Sequence, residues 1–197
     1  AFEPAERRAL LIENTDLYQH RLEEDEAAFA SLRQAFEEAP EANDPPRLEE
    51  LSERLENWEE LAEVYDQARD DAPEASMRRD VGVRLARVRE ERLDDVSGAI
   101  EAYVRVQEEQ PQDKEALEAL DRLYQQTGQW ETLVEVLRQR IDAADSEAAR
   151  NGLRLRQANV LQEFIDDGPE AIRVYQEVLQ TNADNDDPLA ALEGLAA

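Results

Sequence analysis

Apolar residues recur three and four positions apart along nearly the whole chain, and short polar turns separate the apolar stretches. This spacing is typical of amphipathic α-helices, in which one stripe of side chains is buried. No stretch alternates apolar and polar residues as a half-buried β-strand does. The pattern therefore predicts an all-α protein with about eleven helices. Their predicted ranges are 5–20, 24–39, 45–56, 58–71, 74–92, 96–109, 113–126, 130–143, 146–164, 168–181 and 187–196.

Turn and cap residues set these predicted boundaries. Residues 113–126 follow a proline turn and stop before Gly128, and Trp130 opens the next helix two residues later. Glycine is the usual residue just past a helix end because it adopts the left-handed conformation without strain. Short polar side chains are expected to cap the N-termini by accepting backbone hydrogen bonds. The predicted caps are Asp44, Asn57, Ser146 and Asp187.

The chain repeats itself with a period of 72 residues. Residues 58–123 align with residues 130–195 without a gap, and 23 of the 66 paired positions are identical. The identical pairs include Trp58 and Trp130, Ala99 and Ala171, Tyr103 and Tyr175, and Leu120 and Leu192. Because the identities concentrate at apolar helical positions, they indicate a repeated packing unit.

The N-terminal stretch is a more divergent third copy of the same unit. At a shift of 71 residues, Leu22, Ala28 and Pro40 meet Leu93, Ala99 and Pro111. One additional residue in the segment EANDPPRLEEL then restores the spacing of 72 residues. Turns absorb such insertions at little energetic cost. The repeat therefore extends over nearly the whole chain.

Two helices in about 36 residues, joined by short turns, resemble the tetratricopeptide repeat. Residues Leu117, Leu120, Tyr124, Gly128 and Trp130 lie at the spacing of that family's signature, as do Ala99, Tyr103, Val106 and Pro111 in the preceding hairpin. The repeats are degenerate. Asp121 stands where the family favours glycine, Leu133 where it favours alanine, and Arg140 where a small residue is usual.

The resemblance implies a right-handed α-α superhelix in which each hairpin is stable only against its neighbours, and whose concave face binds peptides or proteins. We expect one solenoid over residues 1–197, forming a fragment of a longer protein. Its five expected hairpins and terminal helix are 5–39, 45–71, 74–109, 113–143, 146–181 and 187–196.

The charge balance restricts the partners. The chain has 49 Asp and Glu against 22 Lys and Arg, a formal net charge of −27. This surface repels nucleic acids and anionic membranes, so we expect neither as a partner. The acidic exterior favours basic segments of a protein or peptide partner, unless arginines line the groove.

Arginines recur at equivalent positions of the repeat. Arg78 and Arg84 in one copy match Arg150 and Arg156 in the next. One interpretation is a basic stripe that binds acidic peptides through forked hydrogen bonds. The alternative is pairing with the surplus carboxylates on neighbouring helices. In the best-known peptide-binding tetratricopeptide proteins, lysines and asparagines hold a terminal carboxylate. The comparable part of residues 113–126 carries Glu118 and Arg122, so we do not expect that site here.

The repeated aromatic residues are predicted to pack between helices rather than to line a groove, because they recur at helical spacing. They are Trp58, Tyr103, Tyr124, Trp130 and Tyr175.

Catalysis and metal binding have no support in the sequence. The chain has no cysteine and a single histidine, His20, which we interpret as a solvated residue near a helix end. Without a glycine-rich phosphate loop or a nucleophile with a paired base, we expect neither an enzyme nor a cofactor. Residues Asn182, Asp184, Asp186 and Glu193 follow the spacing of a calcium loop, but Asp187 occupies the position that requires glycine.

These observations predict a non-enzymatic scaffold or adaptor, of a type found in bacteria, that presents a groove to a protein or peptide. The alternative is a structural spacer or an oligomerisation segment without a peptide ligand. We expect either that the native chain continues or that molecules self-associate through these exposed ends, because Leu189, Leu192 and Leu195 lack a following helix in this sequence. The compartment is not determined by the sequence. The cytoplasm is favoured because no signal or membrane-spanning segment appears in these residues.

Overall fold

The computed structural model describes residues 3–41, 43–181, 188–189 and 192, and all regular structure within them is helical. The ten helices in this part of the chain are α1 (Pro4–Leu17), α2 (Asp25–Glu38), α3 (Asp44–Leu55), α4 (Trp58–Asp71), α5 (Ala75–Glu91), α6 (Val96–Glu109), α7 (Lys114–Thr127), α8 (Trp130–Asp142), α9 (Glu147–Val160) and α10 (Gly168–Thr181). The predicted all-α class is confirmed. The predicted helix 187–196 and the calcium-like segment fall mostly outside the described residues.

The chain divides into two compact units, Ala1–Ala102 and Tyr103–Ala197, and the boundary lies within α6. In the first unit, α1 packs on α2, α2 on α3, α3 on α4, and α4 on α5. In the second unit, α7 packs on α8, α8 on α9, and α9 on α10. Within each unit, these successive helices therefore pack on one another in chain order.

Repeat-equivalent apolar residues form the core of each unit. Leu48 and Leu61 in the first unit and Leu120 and Leu133 in the second have at most 1% of their surface exposed. Burying a leucine side chain stabilises a fold by about 1.5–3 kcal/mol. The identities at these positions therefore reflect packing inside each unit, as the apolar pattern predicted.

The backbone repeats as well as the side chains. Outside glycine, positive φ angles in the described residues occur at Glu23, Glu56, Asp94 and Asp166, and Gly128 is the glycine with a positive φ. Glu23, Asp94 and Asp166 are repeat-equivalent, and so are Glu56 and Gly128. Each group follows a helix end, where a left-handed residue reverses the chain.

Three helix ends are closed by the same long backbone hydrogen bond. The amides of Glu24, Asp95 and Asp167 donate to the carbonyls of Tyr18, Arg89 and Leu161, at 3.0, 2.8 and 2.9 Å. Two of these ends wind into short π-helical segments, Tyr18–Leu22 and Leu161–Ile165. The widened turns lie in the connections between α1 and α2 and between α9 and α10.

One predicted cap is wrong. Asp44 is the first residue of α3 rather than its cap, and Asn43 precedes it. The buried Asp44 carboxylate instead accepts hydrogen bonds from Arg8 Nη2 at 3.0 Å and from the Glu41 amide at 2.9 Å. The physical reason is the burial of Arg8, whose guanidinium needs a counter-ion when it leaves water. Of the other predicted caps, Ser146 accepts the Ala149 amide at 3.2 Å.

Asn57 stands at the predicted cap position of α4, but its side chain caps no backbone amide. Its amide nitrogen donates to Glu60 Oε2 at 3.1 Å instead. The helix start at this position is therefore predicted correctly, although the predicted hydrogen bond is not formed.

Candidate functional site

Two adjoining cavities lie between α3 and α5 in the first unit, and together they form what we call the α3/α5 groove. The larger cavity has a volume of about 500 Å³ and the smaller about 310 Å³. Arg84 lines both of them. Clefts of this size that combine apolar walls with a few fixed polar groups are typical of ligand-binding sites.

The larger cavity has charged walls around an indole. Helix α3 contributes three glutamates, α5 contributes two arginines and one glutamate, and the residue that follows α5 is a third arginine. The charged and aromatic lining residues are Glu49, Glu50, Glu53, Trp58, Arg84, Arg87, Glu91 and Arg92. Four carboxylates thus face three guanidinium groups, so the cavity is mildly acidic within a strongly acidic protein.

Glu49 holds the Arg84 side chain in place, and Tyr65 in turn holds Glu49. The Arg84 Nη1 atom donates to Glu49 Oε1 at 2.7 Å. The Tyr65 hydroxyl lies 3.0 Å from the same oxygen and 3.2 Å from the Pro45 carbonyl. Burial raises the pKa of Tyr65 far above its usual value, and the neighbouring Glu49 charge raises it further. About a third of the Arg84 side chain stays exposed, so the guanidinium is oriented but accessible.

Trp58 is half-buried and lines the larger cavity. The Arg92 guanidinium carbon lies 4.5 Å from the centroid of the Trp58 ring, and Arg92 Nη2 lies 2.7 Å from Glu53 Oε2. This arrangement is a cation–π contact in which a carboxylate holds the cation. The prediction that the repeated aromatics pack between helices holds for the three tyrosines, which are buried. Trp58 is buried less completely than these tyrosines, and its indole also lines the larger cavity.

Trp130 occupies the equivalent position in the second unit and is also half-buried. Phe164 stacks on it there, with ring centroids 3.9 Å apart and planes inclined by 20°. Phe164 is the repeat equivalent of Arg92, and 51% of its surface is exposed. The same position therefore covers an indole with a cation in one copy and with an aromatic ring in the other.

The smaller cavity of the groove is the more apolar one. Phe36, Pro45, Met77 and Val81 line it, and Glu41 and Asp80 stand among its polar lining residues. The second unit has a cavity of about 310 Å³ between α7 and α9, lined in part by Leu117, Ala149 and Leu153. These three residues are the repeat equivalents of Pro45, Met77 and Val81. The apolar cavity is thus a repeated feature.

The predicted arginines fall into two structural types. Arg84 and Arg156 each bind an acidic residue 35 positions earlier, Glu49 and Asp121, both at 2.7 Å. Arg140 also pairs with Asp121, and its Nη2 lies 3.6 Å from Glu118 Oε1. These are the pairs between helices that the alternative interpretation of the arginines expects.

Arg78 and Arg150 instead brace the turns ahead of their helices. Arg78 donates to the carbonyls of Ala72 and Pro73 at 2.9 and 3.1 Å, and Arg150 donates to the Ala144 carbonyl at 3.1 Å. Arg122, the remaining candidate, lies exposed on α7. The structure therefore brings Glu118 and Arg156 into one chain of ion pairs and leaves Arg78 and Arg150 at the turns.

The sequence interpretation missed the acidic partners Glu49 and Asp121. Both positions are acidic in successive copies, and each precedes a repeated arginine by the same 35 residues. This recurrence of an acidic and a basic residue at a fixed separation is the sequence signal that indicates the ion pair, since a repeat preserves contacts along with residues.

The described residues contain no group of three or more histidine, cysteine, aspartate or glutamate side chains arranged to hold a metal ion. None of their helices is long and apolar enough to span a bilayer.

Comparison with known proteins identifies the repeat. The family model of the tetratricopeptide repeat matches residues 116–150. The fold is similar to the crystal structure of the MamA protein, with a TM-score of 0.51, 13% identity, and coverage of 89% of this chain and 92% of that one. It is also similar to a tetratricopeptide repeat protein from Parabacteroides merdae ATCC 43184, with a TM-score of 0.52, 17% identity, and coverage of 91% and 68%. Among curated proteins, none matches this sequence.

These findings and the repeated hairpins define the class. The fold is that of a tetratricopeptide-like helical repeat, and residues 116–150 match the model of that repeat. Repeats of this class are typically non-catalytic.

Proposed function

We propose that the α3/α5 groove binds an extended segment of a partner protein. The observation that carries this proposal is the pair of adjoining cavities that share Arg84, one apolar and one charged. An extended peptide points alternate side chains, about 7 Å apart along its axis, toward the same surface, so residues two positions apart in one segment can enter the two cavities. The protein then acts as a non-enzymatic adaptor.

Arg84 is the residue that we expect to orient the bound segment. Because Glu49 and Tyr65 already fix its side chain, little conformational entropy is lost when it contacts a ligand. A backbone carbonyl or a carboxylate of the segment is the natural acceptor for its exposed donors. The apolar cavity beside it accepts a hydrophobic side chain against Met77 and Val81.

The second unit carries a related surface in this proposal. Arg156 takes the place of Arg84, and Glu118 and Arg122 are exposed on α7. Arg78 and Arg150 contribute by fixing the turns through their carbonyl contacts. The net charge of −27 supports a protein or peptide partner over a nucleic acid or an anionic membrane.

Binding of acidic, basic and apolar peptide pools tests the proposal. For the tightest binder, Arg84→Ala is expected to weaken binding about fivefold or more, as truncation of a central interface residue does. Arg33→Ala is the matched control, because Arg33 forms surface pairs with Glu37 and Glu60 and carries the same charge. Equal affinities for the two variants, or no binding by any pool, would contradict the proposal.

A structural spacer or self-associating segment is the second candidate. It is favoured by three leucines in and just after the first helix, Leu10, Leu17 and Leu22, which are 43%, 42% and 50% exposed. Exposed apolar side chains of this kind mark contact surfaces when they lie together. Sedimentation velocity of the wild type and of Leu10→Lys/Leu17→Lys separates the candidates. Association that the double variant abolishes supports the spacer, and a monomer that binds peptides supports the adaptor.

A further inference from the structure

We propose that Trp58, Glu53 and Glu91 form a subsite for a cationic side chain, and that the chain's own Arg92 occupies this subsite when no partner is bound. The inference rests on the proposed function, because it assigns the partner's chemistry within the α3/α5 groove. The expected partner segment carries an arginine or lysine two positions from the residue that enters the apolar cavity.

The contacts of Arg92 show what the indole accepts. Its guanidinium lies 4.5 Å from the Trp58 centroid while Glu53 binds it at 2.7 Å. The Arg92 and Glu53 side chains remain 44% and 57% exposed. An exposed pair of this kind contributes little to stability, so exchange for a similar external cation costs little.

The surrounding charges favour a second cation. Glu91 lines the same cavity, is exposed, and forms no ion pair within the part of the chain that the structure describes. Glu50, on the opposite wall, makes one long ion pair, with 3.8 Å between its Oε1 atom and Arg54 Nη1. Arg84 is already neutralised by Glu49. Four carboxylates and three arginines therefore line the cavity, and Glu91 is the carboxylate among them without an ion pair in the described part of the chain.

The second copy of the repeat lacks this chemistry as a set. Phe164 replaces Arg92, Gln125 replaces Glu53, and Arg122 replaces Glu50. Phe164 stacks directly on Trp130 at 3.9 Å. Where the arginine is lost, two carboxylates around the indole are lost with it. The second copy keeps the indole and one carboxylate, Trp130 and Glu163, but lacks the counterparts of Glu50, Glu53 and Arg92. We infer that these last three residues act together, and that the cationic subsite belongs to the first unit.

Binding is an exchange in which a partner's guanidinium or ammonium group replaces Arg92 on the indole. The aliphatic stem of the incoming side chain lies along the ring, and its charge contacts Glu53 and Glu91. Arg92 then extends into solvent. Because the two cations compete for one surface, removal of Arg92 is expected to strengthen binding.

The test is an NMR titration of the full chain with a hexa-arginine peptide and with an uncharged hexa-glutamine peptide. The chain has two tryptophans and hence two indole N–H signals, which Trp130→Phe assigns. We expect hexa-arginine to shift the Trp58 signal more than the Trp130 signal, and hexa-glutamine to shift neither. Arg92→Ala should tighten binding about threefold. Arg79→Ala removes the same charge near the start of α5 and should not tighten it to that extent.

A matched pair of variants separates the subsite from general attraction to an acidic protein. Glu91→Gln and Glu163→Gln remove one carboxylate at repeat-equivalent positions. We expect Glu91→Gln to weaken hexa-arginine binding about threefold and Glu163→Gln to leave it nearly unchanged. Equal weakening by both, or equal shifts of both indoles, would overturn the subsite.

Failure of the subsite is distinguishable from failure of the proposed function. Selected peptides could shift the backbone amide signals of α3 and α5 but leave the Trp58 indole signal unmoved. That result would support the groove as the binding site and overturn the cationic subsite. If no selected peptide perturbs α3 or α5, the groove and the subsite are both wrong.

Discussion

Single side chains in this protein are fixed mainly by oppositely charged neighbours on other helices. Asp121 is almost fully buried, with 1% of its surface exposed, and both Arg140 and Arg156 pair with it. Where the tetratricopeptide family favours a small glycine, this chain places a carboxylate between two guanidinium groups. A buried carboxylate is tolerated only because both partners remain in place.

Replacement of Asp121 by asparagine should destabilise the fold by about 1–3 kcal/mol. The cost falls below that of a fully buried pair because Arg140 and Arg156 retain 22% and 36% side-chain exposure, so water screens part of the lost charge. Urea unfolding followed by circular dichroism measures the effect. Glu118→Gln, at the exposed end of the same ion-pair chain, serves as the control and should change stability by less than about 0.5 kcal/mol. Equal effects of the two substitutions would contradict the assignment.

Alkaline pH should weaken the fold through Tyr65. Burial raises the pKa of Tyr65 well above 10 in the folded state, with a further contribution from Glu49. The folded state therefore keeps a proton that the unfolded state releases, so the stability from this group is complete below pH about 10 and declines as pH rises further. Urea midpoints measured between pH 8 and 11 should fall more steeply for the wild type than for Tyr65→Phe. Parallel curves would show that Tyr65 does not contribute.

Only part of this detail is predictable from the sequence. The recurrence of Arg84 and Arg156 and their pairing with carboxylates are accessible, because a repeat preserves charge partners at a fixed separation. The environment of Trp58 is not, because it depends on which side chain lies at position 92. The two copies fill that place with arginine and phenylalanine, and both are compatible with the same helical pattern.

Whole elements depend on where each helix ends. Glu56 follows the last residue of α3 and has a φ of 54°, and the repeat-equivalent Gly128 follows the last residue of α7 and has a φ of 69°. Glycine adopts this left-handed conformation without strain, whereas a residue with a Cβ atom does so at a cost. The two copies therefore use the same turn with different residues, and the first copy is the more strained.

Substitutions at these two turn positions should have opposite effects on stability. Glu56→Gly is expected to raise the free energy of unfolding by about 0.5–1 kcal/mol, and Gly128→Ala to lower it by about 1 kcal/mol. Thermal unfolding of the two variants measures both. A loss of stability in Glu56→Gly would mean that the glutamate side chain stabilises the turn more than its backbone strain destabilises it.

The ends of the helices also show where prediction from sequence stops. Gly128 marks the end of α7 in the sequence because glycine has a known role there. Nothing marks Tyr18–Leu22 or Leu161–Ile165 as π-helical segments, since one widened turn leaves the three- and four-residue spacing almost intact. The acidic residues at positions 23, 94 and 166 carry the left-handed conformation in place of glycine, which hides the turn from composition alone.

The whole molecule carries a large excess of negative charge. With 49 acidic and 22 basic side chains, many carboxylates have no cation to pair with, and their mutual repulsion opposes folding. Salt screens this repulsion and also weakens the favourable ion pairs. Because the acidic residues outnumber the basic ones by more than two to one, the first effect should dominate.

An increase of sodium chloride from about 0.02 to about 0.3 M should therefore raise the melting temperature, since the Debye length falls well below the spacing of many surface charges. Potassium chloride at equal ionic strength should act equally, which separates screening from specific ion binding. A lower melting temperature in salt would show that the ion pairs outweigh the repulsion.

Binding of a partner segment in the α3/α5 groove is tested most directly by hydrogen–deuterium exchange of the full chain with and without the tightest peptide from the pools. Residues of α3 and α5 around Glu49 and Arg84 should exchange more slowly in the complex, while α1 and α10 change little. Protection confined to α1 and α10, or no protection in either unit, would contradict the groove as the site of interaction.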